Sequence, residues 1–401
     1  MIQAGTGFSK NRNAEKAAES ASRAALEKSG AAKADTVLFF ASSFYKKHFE
    51  AIARKIRDVT GAKTVVGASS HGVLTEEQEI ERHPAVAVMA LTADEIHARS
   101  FLIENLQENN FLAGEKTGML LQAGGIAPQM AFLFPDPFSF QSPFFFDGFE
   151  SAVGYVPLLG GCAGEEGREG KTYQIENSRA AFDAVSGLAL SGHFRTETGL
   201  TRSCQPFGEP LQITRAEGNM IYEMDGRPAY DILLEVLSQL PFSAIGGSAS
   251  GGQNSDQVLE RVFLGTPLRS FQTEFSNHYL IRNIMGVNAK KGMLACVAPV
   301  EEGEFVTFTM RDPGLARQDM RTMLEDLKNR IEPSKPAFGF YFNCGARGEA
   351  LYNAPSADIA MIREAFPGVP ILGFFAYGEI APVDHVNHLH YHSGVLTLVT
   401  P

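Results

Sequence analysis

Tryptophan is absent from the 401 residues, cysteine occurs four times, and no apolar run approaches the ~18 residues that crossing a bilayer requires. Each shortage excludes something, except the missing tryptophan, for which we have no physical account. Cys162, Cys204, Cys296 and Cys344 stand far apart and form no CxxC or zinc-ligand pair. Four scattered thiols in a chain this long fit a reducing compartment rather than a disulfide framework. Residues 1–10 lack the basic flank and apolar stretch of a signal peptide, so the chain is expected to be cytoplasmic, with no membrane insertion. Clustered basic residues are lacking as well. Lys and Arg number 35 against 46 Asp and Glu, a net charge of -11 that repels phosphate backbones and argues against nucleic acid as a partner. No GxGxxG opens a helix after a strand, no P-loop lysine follows a glycine turn, and no HExxH is present. No catalytic residue is assigned, and the chain reads as a non-enzyme.

What is present is an ordinary globular composition, 44% apolar and 20% charged, with 39 glycines and 30 phenylalanines. Residues 14–28 have helix-forming composition and stop at Gly30, a C-cap candidate. A strand is expected at 37–40. The helix after it, 44–59, sets Phe49, Ile52, Ile56 and Val59 on one face. A strand at 64–66 then enters a glycine turn, Gly67 to Gly72, and 85–91 reads as a buried strand. This strand–helix–strand–turn–strand unit recurs. Its second copy has strands near 130–134 and 184–190 around the turn Gly160 to Gly164. Its third has strands at 337–342 and 395–399 around the turn Gly373 to Ile380. A weaker fourth lies at the helix 232–240 and the turn Gly246 to Gly252. The expectation is an α/β fold of two related domains, each a mixed β-sheet with flanking helices, internally duplicated with two copies per half. The domains are placed at 1–195 and 210–401, with a polar linker near 192–209 and a β-rich stretch near 258–310 inserted in the second.

Several residues could carry chemistry. A glycine after a strand lets backbone N–H groups approach a ligand, which makes Gly161, Gly373 and Gly378 candidates; tight turns serving only the fold are the competing reading. Arg347 stands three residues after Cys344 at a strand end. It could stabilise a thiolate or clamp a carboxylate, while a buried structural thiol is the bland alternative. His388, His390 and His392 would share one face of a strand and suggest a metal or haem site, against hydrogen-bonded edge histidines. Glu379, beside Tyr377 and Gly378, either caps backbone N–H groups or receives an ammonium. His71 occupies the equivalent place in the first repeat and is expected to face the same cavity. Eight phenylalanines lie between Phe132 and Phe149, and Phe144, Phe145 and Phe146 cannot share one helix face. Some of them should cover a pocket or a partner surface.

These motifs together resemble the FIST family (F-box and intracellular signal transduction) in its stand-alone bacterial form. The resemblance rests on residues 373–382 with 390–398, on 66–72, 159–163, 213–219 and 222–229, and on Cys344 to Gly348. It spans most of the chain as an N-terminal and a C-terminal FIST domain. It implies a sensory module for a small ligand such as an amino acid, coupled to a histidine kinase or cyclic-dinucleotide signalling. Some relatives bind haem and sense nitric oxide. No output domain is attached here, so output would pass through a separate partner. Three readings follow: a small-ligand sensor anchored by Arg347 and Glu379, a haem-based sensor using one C-terminal histidine, and an enzyme using Cys344 with Arg347.

Overall fold

The β-branched and aromatic runs read above form the central strands of the structure. In the computed structural model, which describes residues 2–123, 127–167, 169–239, 261–267 and 279–401, the chain forms two compact units. One comprises Met1–Thr201 and Met320–Pro401; the other is Arg202–Asp319. The fold is α/β with mixed sheets and flanking helices, and it repeats internally.

The first repeat runs β1 (Ile2–Ser9), α1 (Ala14–Ser29), β2 (Thr36–Ser42), α2 (Phe49–Thr60), β3 (Thr64–Ser70), a hairpin of β4 (Gly72–Thr75) and β5 (Glu79–Glu81), and β6 (Val86–Ala93). The second follows the same order: β7 (Ile96–Glu104), α3 (Asn110–Gln122), β8 (Met130–Pro135), α4 (Ser142–Val153), β9 (Leu158–Gly161), β10 (Gln174–Glu176), β11 (Arg179–Ala181) and β12 (Ala184–Gly192). After β13 (Arg195–Arg202) the chain enters the other unit. There it makes β14 (Cys204–Glu217), β15 (Met220–Met224), β16 (Arg227–Pro228), α5 (Ala229–Gln239), β17 (Val262–Pro267), β18 (Tyr279–Asn288), β19 (Met293–Cys296) and β20 (Phe305–Arg311). These strands pair in the order β14-β20-β17-β18-β19-β15-β16, and a further β14–β15 pairing closes the antiparallel sheet on itself. Ile213, Ile221, Leu264, Leu294, Val306 and Phe308 fill its core.

The third repeat resumes with α6 (Pro313–Ile331), within which the division between units falls. It continues through β21 (Phe338–Cys344), α7 (Gly348–Tyr352), α8 (Ala357–Ala365), β22 (Ile371–Ala376), β23 (Glu379–Val383), β24 (Val386–His390) and β25 (Ser393–Thr400). The sheet orders are β1-β6-β2-β3-β10-β11, β7-β12-β8-β9-β23-β24 and β13-β25-β21-β22-β4-β5. In each, the middle pair is parallel, as a strand–helix–strand crossover demands. The orders β6-β2-β3 and β25-β21-β22 agree, as duplication requires. Each repeat also lends its hairpin to another: β4–β5 to the third sheet, β10–β11 to the first, β23–β24 to the second. Three copies of the repeat thus fall in one unit, which takes in both ends of the chain, and the β-rich stretch belongs to the other. The expected fourth turn, Gly246 to Gly252, lies outside the described residues.

The inner faces of the three sheets share one core. Phe40, Phe134 and Phe342, one from each repeat, sit with ring centroids 5.0, 6.3 and 6.0 Å apart. Burying each such ring contributes about 2–3 kcal/mol. Helices cover the outer faces. Asn13 caps α1 by accepting from the Lys16 N–H, and Gly30 ends it at φ 70°. Its small stripe of Ala14, Ala17, Ala18, Ala21 and Ala25 lies directly on β1. A Cβ on Gly5 would come within 2.4 Å of the Ala25 carbonyl, so a larger residue there would lift the helix off the strand.

Candidate functional site

The glycines of the three turns begin inside strands. Gly67, Gly160 and Gly373 stand beside Phe39, Leu133 and Tyr341 on the paired parallel strands. A Cβ on them would meet the carbonyl oxygens of those residues at 2.2, 2.2 and 1.7 Å. These glycines therefore serve close strand approach, the reading that competed with ligand contact. A Cβ on Gly161 would press on Ala376, and one on Gly378 on Leu389 and Tyr391.

Beyond the glycines, the three strand ends gather at one place. The Gly164 N–H donates to the Ser69 carbonyl (3.0 Å), the Cys162 N–H to the Gly378 carbonyl (2.8 Å) and the Tyr377 N–H to the Cys162 carbonyl (3.2 Å). Val73 pairs with Phe374, Gln174 with Ala68, and Glu379 with Gly161, each on the neighbouring repeat's strand. The register makes Val73, Gln174 and Glu379 counterparts, all fully buried. His71 is thus the counterpart of Tyr377 rather than of Glu379, because it lies two residues ahead of Val73. It is half-buried, with Nδ1 3.2 Å from the Glu165 carbonyl. The Tyr377 hydroxyl donates to that same carbonyl at 3.3 Å from a side chain that is 44% exposed.

Arg347 lies within the fold, fully buried, just past the end of β21. Its Nε and Nη2 each donate to Asp358 at 3.0 Å, and Nη2 also donates to the Tyr352 hydroxyl at 2.7 Å. Tyr341 (2.9 Å), Asn343 (3.1 Å) and Tyr352 (2.8 Å) donate to the same carboxylate. The guanidinium and these donors hold Asp358 below the usual carboxylate range despite its burial, while Asp358 raises Arg347 further. The pair is satisfied except at one atom: Nη1 of Arg347 has no hydrogen-bond partner.

Two buried acids flank this pair. Burial raises Glu379 to about 8, so its carboxyl is largely protonated at neutral pH; Ser393, Arg347 and the Cys344 thiol oppose the shift. Its Oε2 accepts from the Ser393 N–H (3.2 Å) and hydroxyl (2.6 Å), and Oε1 has no oxygen or nitrogen partner. Glu79, carried in by the β4–β5 hairpin, is likewise raised to about 8, by burial and then by Asp358. Its Oε1 accepts from the Ile359 N–H (3.0 Å), and Oε2 has no partner. Burial and the neighbouring Glu379 push the Cys344 thiol up, with Arg347 only a minor opposing influence. The alternative in which Arg347 stabilises a thiolate at Cys344 finds no support, because Asp358 already engages that guanidinium.

The C-terminal histidines separate. His388 and His390 lie on β24 with ring centroids 6.0 Å apart. The strand then ends, and His392 sits in a turn at φ 56°, off their face. The Nε2 of His390 lies 3.0 Å from the Ala381 carbonyl. Burial lowers the pKa of His388, keeping its imidazole neutral. Among the described residues no group of three or more His, Cys, Asp or Glu is arranged to hold a metal ion. No helix there is long and apolar enough to cross a membrane.

Asp358, Glu79, Tyr341 and Tyr352 join the site without a signal in the sequence. Nothing in their spacing marks them, since Glu79 reaches Ile359 across 280 positions.

Comparison with known proteins completes the site's context. An uncharacterized protein of Mycobacterium tuberculosis is 27% identical over 375 residues, 93% of each chain. One of Mycobacterium bovis is 27% identical over 326 residues, 81% of this chain and 80% of the relative. Among solved structures, a chorismatase aligns at TM-score 0.35 and 8% identity, over 100% of this chain and 99% of its own. A cyanuric acid hydrolase from A. caulinodans aligns at 0.27 and 9%, over 48% and 70%. At these scores neither bears on fold or chemistry. The FIST N domain matches residues 35–227 and the FIST C domain 229–382. On that coverage the chain belongs to the FIST family, whose domains are associated with signal-transduction sensing.

Proposed function

We propose that the protein is a sensor of a small zwitterionic metabolite, an amino acid or a close analogue, bound beside Arg347 and Glu379. The observation that carries this reading is a concentration of unmet polar capacity. Arg347 Nη1, Glu379 Oε1 and Glu79 Oε2 are all buried without an oxygen or nitrogen partner, the first two on the third repeat and the last on the hairpin that the first repeat lends to the third sheet. A buried donor or acceptor left unmet costs about 1–3 kcal/mol, which a complementary guest recovers. A carboxylate suits the free edge of the guanidinium, and an ammonium suits the carboxyl of Glu379. Docking an ammonium there favours the ionised carboxylate, so binding releases a proton near neutral pH. On this reading the ligand would enter past Tyr377 and His71, which both reach the Glu165 carbonyl at the partly exposed edge, with Gly161 and Gly378 buried behind them and Cys344 neighbouring both anchors. Because both anchors are fully buried, entry needs an opened state, and the ligand acts by shifting that equilibrium. The altered population would be read by a separate signalling protein, such as a histidine kinase.

Calorimetric titration with a panel of amino acids tests this. The expected result is saturable heat at one site per chain, lost in Glu379→Gln and accompanied by proton release in buffers of differing ionisation heat. Absence of heat and of any melting shift across the panel would contradict it. Hemin titration separates the haem reading: a stoichiometric Soret band lost in His388→Ala would favour that role instead.

A further inference from the structure

The helix α3 differs from its counterparts in what it shows to solvent. Its inner ridges, Ala113, Gly114, Thr117, Gly118 and Leu121, are buried against α4. The fit is close enough that a Cβ on Gly114 would strike the Phe145 carbonyl at 2.0 Å, and one on Gly148 the Phe111 carbonyl at 2.0 Å. The outer ridges are Phe111–Glu115–Met119 and Leu112–Lys116–Leu120, two adjacent i, i+4 rows. Phe111, Leu112, Met119 and Leu120 are each 40–55% exposed. The outward faces of the corresponding helices are polar instead: Glu15, Lys16, Arg23 and Glu27 on α1, and Arg321, Glu325, Asp326 and Arg330 on α6. The same scaffold position therefore tolerates charge, and only the second repeat leaves it apolar.

The exposed row is also self-complementary. Read from Phe111 to Leu120 it runs apolar, apolar, two buried positions, acid, base, two buried positions, apolar, apolar. Reversed, it is the same except that acid and base exchange places. A twofold axis crossing the helix between Glu115 and Lys116 sets Phe111 against Leu120 and Leu112 against Met119 of a second copy, and each Glu115 against the opposing Lys116. We propose that α3 is the contact face of a homodimer in which two copies of this chain pair their α3 helices antiparallel, through i±4 ridges and reciprocal Glu115–Lys116 contacts. An isologous interface needs this kind of self-complementary patch. Phe144 extends the patch: it is 56% exposed and lies four residues before Gly148, which packs under Phe111.

Sedimentation velocity across a dilution series tests the proposal. The wild-type chain is expected to sediment as a dimer and Leu120→Glu as a monomer. Lys116→Glu, which opposes Glu to Glu, should weaken dimerisation by at least about tenfold. Combining Glu115→Lys with Lys116→Glu restores opposite charges and should restore the dimer. Circular dichroism verifies folding of each variant, and Met119→Lys replaces Leu120→Glu should that one fail to fold. A wild-type monomer at every concentration, as expected if the patch serves a different protein, overturns the proposal. So does a dimer indifferent to Leu120→Glu, or one the double variant does not restore.

Discussion

Val73 and Glu379 occupy the same place on the same scaffold, yet one is an apolar core residue and the other a buried acid raised to about 8. Around Val73 the first repeat meets its backbone needs with Ser42, whose hydroxyl accepts from the Ala85 N–H at 3.1 Å. In the second repeat Asp136 does similar work, accepting from Phe138 (3.2 Å), Thr172 (2.9 Å) and Asp183 (3.0 Å). The third repeat, with the β4–β5 hairpin that the first repeat lends to its sheet, gathers a buried Arg–Asp pair and two buried acids near these strand ends. A fold that can be built with valine at this position does not need the acid for stability. The difference marks where polarity is held against its desolvation cost, and such positions are where function concentrates.

Four measurements bear on the difference between the repeats. Asp358→Ala should have the largest effect, about 3–5 kcal/mol less stable in urea unfolding, because it strands the buried Arg347 charge. Next, Gly373→Ala should cost about 3 kcal/mol or more, and Gly67→Ala a comparable amount, since both would drive a methyl into a neighbouring carbonyl. A large gap between those two would weaken the equivalence of the repeats. Glu379→Gln comes third. The folded value of about 8 lies above the ordinary 4.5, so the folded protein keeps a proton that the unfolded chain loses. Stability is then full below about pH 4.5 and falls by up to about 1.4 kcal/mol per pH unit as pH rises toward 8. The glutamine variant should remove this share of the slope, Glu79 keeping its own, and be the more stable form at pH 8. Gln174→Leu, at the counterpart position, should leave the slope unchanged. Smallest is Tyr377→Phe, which removes one half-exposed hydrogen bond and should shift stability by about 0.5 kcal/mol.

The strands β2, β3, β8, β9, β21 and β22 were legible because a buried strand shows as an apolar run and a glycine where strands crowd, while their pairing was not. The helix at Phe49, Ile52 and Ile56 was legible from its period. The α3 helix was not, since with apolar residues outside and glycine inside it carries no periodic signal. The hairpin exchange could not be read, as β4 and β23 look alike whichever sheet they join. Of the site, Arg347 and Glu379 were visible as isolated charges beside glycines, but Asp358 and Glu79 become neighbours only through that exchange. The expected row of three histidines failed for a local reason: the strand ends at His390 and left-handed backbone at His392 turns the chain away. Phe144, Phe145 and Phe146 do divide as helix geometry demands, the first outward and the other two into the core.

The central claim, that the third repeat alone carries a binding site, is tested most directly by amino-acid titration followed by calorimetry on three proteins: wild type, Glu379→Gln and Gln174→Leu. One site per chain is expected in the wild type, the same site in Gln174→Leu, and none in Glu379→Gln. Binding that survives Glu379→Gln, or that is lost equally in Gln174→Leu, would contradict it.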